Sequence, residues 1–119
     1  MKIDGKNMSM IRGDSESITV SCSDTNGNLI PLVSGDKIYF TVKEDEYRTE
    51  KVFQKIVTEF TDGKAIINIL PTDTKELRFK TYKYDVQLNR GDGYVKTIIP
   101  VSNFAILSEV TYDWYKYDI

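Results

Sequence analysis

The chain reads as an all-β protein, an antiparallel β-sandwich with one short helical turn. Three observations carry that expectation. Residues 82–89, YKYDVQLN, alternate without a break, with Tyr82, Tyr84, Val86 and Leu88 on one face and Lys83, Asp85, Gln87 and Asn89 on the other. That period of two marks a strand with one buried face. Residues 37–43, KIYFTVK, repeat the pattern with Ile38, Phe40 and Val42 inward. Turn-forming clusters recur at short intervals, and no long stretch has the 3.6-residue period of an amphipathic helix.

In chain order, residues 8–11 form a short apolar start that Arg12-Gly13-Asp14 stops. Ile18, Val20 and Cys22 then share one face, alternating with Ser17, Thr19, Ser21 and Ser23. Asp24-Thr25-Asn26-Gly27-Asn28 is a turn, and residues 29–32 pack against something before the next one. The charged stretch 44–51, EDEYRTEK, is short and flanked by strands, so it reads as a solvated loop. Residues 52–60 form a strand of unsettled parity, and Thr61-Asp62-Gly63-Lys64 is an Asp-Gly hairpin turn leading to residues 65–70. Residues 71–77, PTDTKEL, read as one helical turn with Thr72 as N-cap, crossing from one sheet to the other. Residues 82–99 make a central hairpin closed by the glycines around Asp92, and residues 103–107 add a last strand with Phe104 and Ile106 on one side. Seven or eight such strands suit an immunoglobulin-like architecture, with a small closed barrel as the alternative.

Length and composition bound the rest. The 119 residues fit one domain, residues 1–111, followed by a short tail, 112–119. A domain of this size hides roughly 65% of the surface its unfolded chain exposes, enough for a core without staples. A single cysteine excludes an internal disulfide, and Cys22 reads as a small core side chain. Sixteen basic and eighteen acidic residues leave a net charge of −2, which draws the chain neither to nucleic acid nor to an anionic membrane. The start, MKIDGKNMSM, lacks the apolar segment of a signal peptide, so the expectation is an unprocessed soluble protein made in the cytoplasm.

Chemistry-bearing motifs are sparse. With no histidine and one cysteine, zinc sites and Ser-His or Cys-His nucleophile pairs are excluded. The segment beginning at Asp24 resembles the opening of a calcium loop, but its glycine comes early and Gly35 stands where the bidentate glutamate belongs. Asp45 with Glu46, or Asp62 with Asp92, could pair as acid and base, yet nothing places either pair in an apolar pocket. Arg-Gly-Asp occurs at Arg12 and again at Arg90. In an exposed loop that tripeptide can bind integrins, but Gly-Asp is also ordinary turn chemistry. No catalytic, metal or cofactor-binding residue is expected.

The stretches MIRGDS, DTNGNLIPL, GDKIYFTVK, FTDGKAIINILPTDTKEL, YKYDVQLN and IIPVSNFAILSEVT, in that order and spacing, resemble the N-terminal immunoglobulin-like domain of phage baseplate upper proteins and of prophage proteins of Gram-positive bacteria. The resemblance spans residues 10–111. It implies a non-catalytic structural part of a phage tail or baseplate, located in the virion and contacting other tail proteins or its own copies. In that family a longer region leading to the receptor-binding part follows the domain, whereas this sequence ends at Ile119.

Outside the alternation, the ending TYDWYKYDI carries Tyr112, Trp114, Tyr115 and Tyr117. These are the candidate partner-binding residues, because tyrosine and tryptophan anchor interfaces. The same rings could instead fold back to cover a sheet edge, or stack on sugars, which makes a glycan-binding sandwich the alternative function.

Overall fold

The computed structural model describes residues 1–109. It is a β-sandwich with mainly antiparallel pairing and one short helix. The strands are β1 (Lys2–Asp4), β2 (Asn7–Ile11), β3 (Glu16–Val20), β4 (Cys22–Ser23), β5 (Leu29–Ile30), β6 (Lys37–Lys43), β7 (Phe53–Val57), β8 (Ala65–Ile69), β9 (Lys80–Asn89) and β10 (Val95–Leu107); α1 is Pro71–Thr74. One sheet has six strands in the order β1-β2-β10-β9-β6-β7. Opposite it lie two small sheets, β3-β8 and β4-β5. Because β1 and β7 are unjoined edges of the large sheet, the closed barrel does not form.

The alternators pack as their periodicity predicts. Ile38, Phe40 and Val42 of β6 and Tyr82, Tyr84, Val86 and Leu88 of β9 are buried, and they meet Ile18, Val20, Ala65, Ile67 and Ile69 from the facing sheet. Phe40 lies 5.3 Å from Tyr84 and 6.0 Å from Phe104, ring centre to ring centre, so three neighbouring strands share one aromatic cluster. Such tilted and edge-on pairs add about 0.5–1.5 kcal/mol each beyond area burial. Cys22 is buried among them as a small apolar side chain.

Four details depart from expectation. The N-terminal strand is a hairpin, β1-β2, and β2 lies parallel to β10, with Met8 opposite Phe104 and Ile11 opposite Leu107. Residues 103–107 are not a separate strand. They continue β10, which stays paired to β9 across two single-residue bulges, between Thr97 and Ile99 and between Ile99 and Ser102. Proline lacks the N–H a ladder needs, and Pro100 sits inside the second bulge, where that lack is tolerated.

The Asp-Gly turn is tight, with mutual Thr61 and Lys64 backbone hydrogen bonds of 2.9 Å, but it closes no long hairpin. β7 belongs to the large sheet and β8 pairs with β3, so the chain changes layers there. The helix is capped two residues earlier than expected. Leu70 is the N-cap residue rather than Thr72, because the Asp73 carboxylate reaches back to accept the Leu70 N–H at 2.7 Å. Asp73 also pairs with Lys55 of β7 at 2.6 Å, which ties the crossing segment to the edge of the large sheet.

Candidate binding cleft

The core-facing parity of β6 and β9 leaves their other face uncovered by the described residues. Across β7, β6, β9 and β10 that face carries the row Ile56, Tyr39, Gln87 and Thr97, and beside it the row Gln54, Thr41 and Asp85. A cleft of about 390 Å³ opens over the second row and over Tyr39 and Gln87 of the first. Its floor is Tyr39, Thr41 and Lys43 from β6 with Lys83, Asp85, Gln87 and Asn89 from β9. The loop 44–51 supplies one wall through Glu46, and Lys51 and Gln54 continue it. Val101 supplies the other wall, because the bulges bend β10 at Pro100 just before it.

Much of the floor is held in place by its own hydrogen bonds. The Lys51 ammonium donates to Gln54 Oε1 at 3.2 Å, and Gln54 Nε2 donates to Thr41 Oγ1 at 2.9 Å. Lys83 Nζ donates to Asn103 Oδ1 at 2.5 Å. Two acceptors are less well served. Burial pushes the Asp85 carboxyl above its ordinary range, and the nearby Lys43 ammonium offsets that only in part. Asn89 Oδ1 is buried with no hydrogen-bond partner among the described residues. A buried, unpaired acceptor costs about 1–3 kcal/mol, so Asn89 weighs against stability here.

The residues singled out from the sequence do not gather here. Tyr112, Trp114, Tyr115 and Tyr117 lie outside the described residues. Both Arg-Gly-Asp arginines hold the fold together. The Arg12 side chain is 17% exposed, pairs with Glu109 and donates to the Leu77 carbonyl at 3.0 Å. Arg90 reaches the buried Asp36 carboxylate at 3.4 Å. Asp24 accepts the backbone N–H groups of Asn26 and Asn28, both at 2.9 Å, and the Asn28 contact leads in pulling its carboxyl below the ordinary range. That is the work of an Asx turn rather than a cation loop. Asp45 and Asp92 do likewise, accepting the N–H of Tyr47 and of Tyr94.

The alternation puts Lys83, Asp85, Gln87 and Asn89 on the face opposite the buried one, but does not show that this face is walled. The available signal was Pro100 inside a β-rich run, which marks a bulge.

At the far end of the same face lies a second feature. Ile11 of β2 and Leu107 of β10 are register partners, and Phe79, one residue before β9, extends the row. These residues are 43%, 48% and 46% exposed, respectively. The Arg12 guanidinium stacks 4.1 Å from the Phe79 ring centre.

No protein-family model matches the chain, and no curated protein matches it.

Proposed function

We propose that the chain is a non-catalytic structural module of a phage or prophage tail or baseplate that binds neighbouring subunits, other copies of itself among them. The ordered set of short motifs resembling the baseplate upper domain supports this reading, and one structural observation carries it. The uncovered face of the six-stranded sheet ends in the row Ile11, Leu107 and Phe79, each nearly half exposed. Two residues beyond Leu107 stands Glu109, from which the sequence continues into Tyr112, Trp114, Tyr115 and Tyr117. An apolar row and an aromatic segment close in sequence are the materials of an interface anchor.

The test is mass spectrometry of particles purified after prophage induction, together with sedimentation of the purified chain with and without residues 112–119. The reading expects the chain at a fixed ratio to a tail protein and weaker association after deletion. Particles that lack the chain, or a mass distribution untouched by the deletion, would count against it.

A further inference from the structure

We infer that the walled cleft on the outer face of the large sheet is a binding site for a neutral carbohydrate, formed by Tyr39, Gln54, Asp85, Gln87 and Asn89. This goes beyond the assembly role and uses different residues.

Several observations converge on that ligand class. The cleft is bounded on both sides, with Glu46 and Lys51 on one wall and Val101 on the other, and its volume of about 390 Å³ falls at the small end of ligand sites. Sugar hydroxyls both donate and accept, so they suit a surface that mixes carboxylate, carboxamide and hydroxyl groups. Tyr39 and Gln87 face each other across β6 and β9, and Thr41 faces Asp85 in the next pair. An aromatic ring therefore lies beside an amide and one step from an acid. That places an apolar surface for the C–H face of a pyranose next to groups that bind its edge.

One acceptor of the floor wants a donor. Asp85 is only partly compensated by Lys43. A sugar O–H supplies that donor, whereas an anionic ligand would bring a further acceptor beside this carboxylate. The lysines of the cleft are largely balanced. Lys43 faces the charge of Asp85, Glu46 stands beside Lys51 in the lining, and Lys51 and Lys83 each give one donor to the amide oxygens of Gln54 and Asn103.

The experiment is to probe an array of neutral and acidic oligosaccharides with the full chain, then titrate the best-bound oligosaccharide by calorimetry. The same titration is repeated with Gln87→Ala, Asp85→Asn, Tyr39→Ala and Tyr39→Phe. The expected result is binding to neutral glycans, about tenfold weaker or worse in the first three variants and largely retained in Tyr39→Phe, which keeps the ring. Thermal melts check that each variant is folded. If Tyr39→Ala does not fold, the Gln87 and Asp85 variants decide alone, since both residues lie on the uncovered face. Failure to bind any array glycan, binding confined to acidic ones, or affinity unchanged in the cleft variants would each overturn the inference. So would affinity lost only on deleting residues 112–119, because that would place the site in the tail.

Discussion

Arg12 and Glu109 clasp the C-terminal ends of the parallel strands β2 and β10 to each other. The guanidinium meets the carboxylate with both arms of its fork, Nη2 to Oε1 at 2.7 Å and Nε to Oε2 at 3.1 Å. The clasp fastens the chain just where the sequence turns aromatic. The hydrogen bond from Arg12 holds the Glu109 carboxyl below its ordinary range, ahead of the charge attraction that acts in the same sense. An acid whose pKa is lower in the folded state adds stability above its unfolded value and loses it as pH falls through the folded one. Stability measured by urea unfolding should therefore decline below about pH 4.5 in part through this residue. Glu109→Gln should flatten that decline relative to the parent. Arg12→Ala should lower stability by about 1–3 kcal/mol at neutral pH, because it also strips the Leu77 carbonyl of its donor.

How much of this was legible before the fold was known depended on whether a signal was local. The inward faces of β6 and β9 follow from alternation alone, since side chains of a strand point to opposite sides whatever the partner. Pairing is a long-range matter. Nothing in NMSMI or NFAIL announces that β2 lies parallel to β10, and nothing in the Asp-Gly turn announces that β7 and β8 belong to different layers. The cleft was half legible. Its floor is the polar set of YKYDVQLN and KIYFTVK, but its walls come from a bulge and a loop whose positions only the folded sheet decides.

Asp85 should behave in the opposite way to Glu109. Its pKa is raised, chiefly by burial, so the ionised form is disfavoured in the fold. Such a group weighs against stability at neutral pH, and the penalty vanishes as pH falls and the carboxyl is protonated. Asp85→Asn is expected to raise the melting temperature at pH 7 and to leave it unchanged in strong acid. A carboxylate that opposes folding at the floor of a cleft is a candidate for ligand work. Equal melting temperatures at pH 7 would remove that argument.

Gly63 answers to two constraints at once. Its φ of +72° lies in the left-handed region, and a Cβ there would stand 3.1 Å from the Pro31 Cβ. Gly5 shares the first constraint, with φ of +61°, but a Cβ there would meet nothing within 4 Å. Gly5→Ala should therefore report the backbone cost alone, about 1 kcal/mol, and Gly63→Ala should exceed it by the cost of moving Pro31. The difference between the two variants in chemical denaturation measures the crowding at the point where the chain changes layers.

Leu107 separates association from folding. It is 48% exposed and its register partner Ile11 43%, so replacing either with lysine removes little buried surface. Substitutions at such positions usually change stability by no more than about 0.5 kcal/mol. If the apolar row buries itself against another subunit, the same change places an ammonium in a desolvated contact, where an unpaired charge costs far more. Leu107→Lys and Ile11→Lys are thus expected to leave the melting temperature within a few degrees of the parent while shifting sedimentation toward the monomer. Ile3→Lys, on the outlying strand β1 and 58% exposed, controls for the general effect of added positive charge. A shift common to all three variants would mean that net charge, rather than this row, governs association.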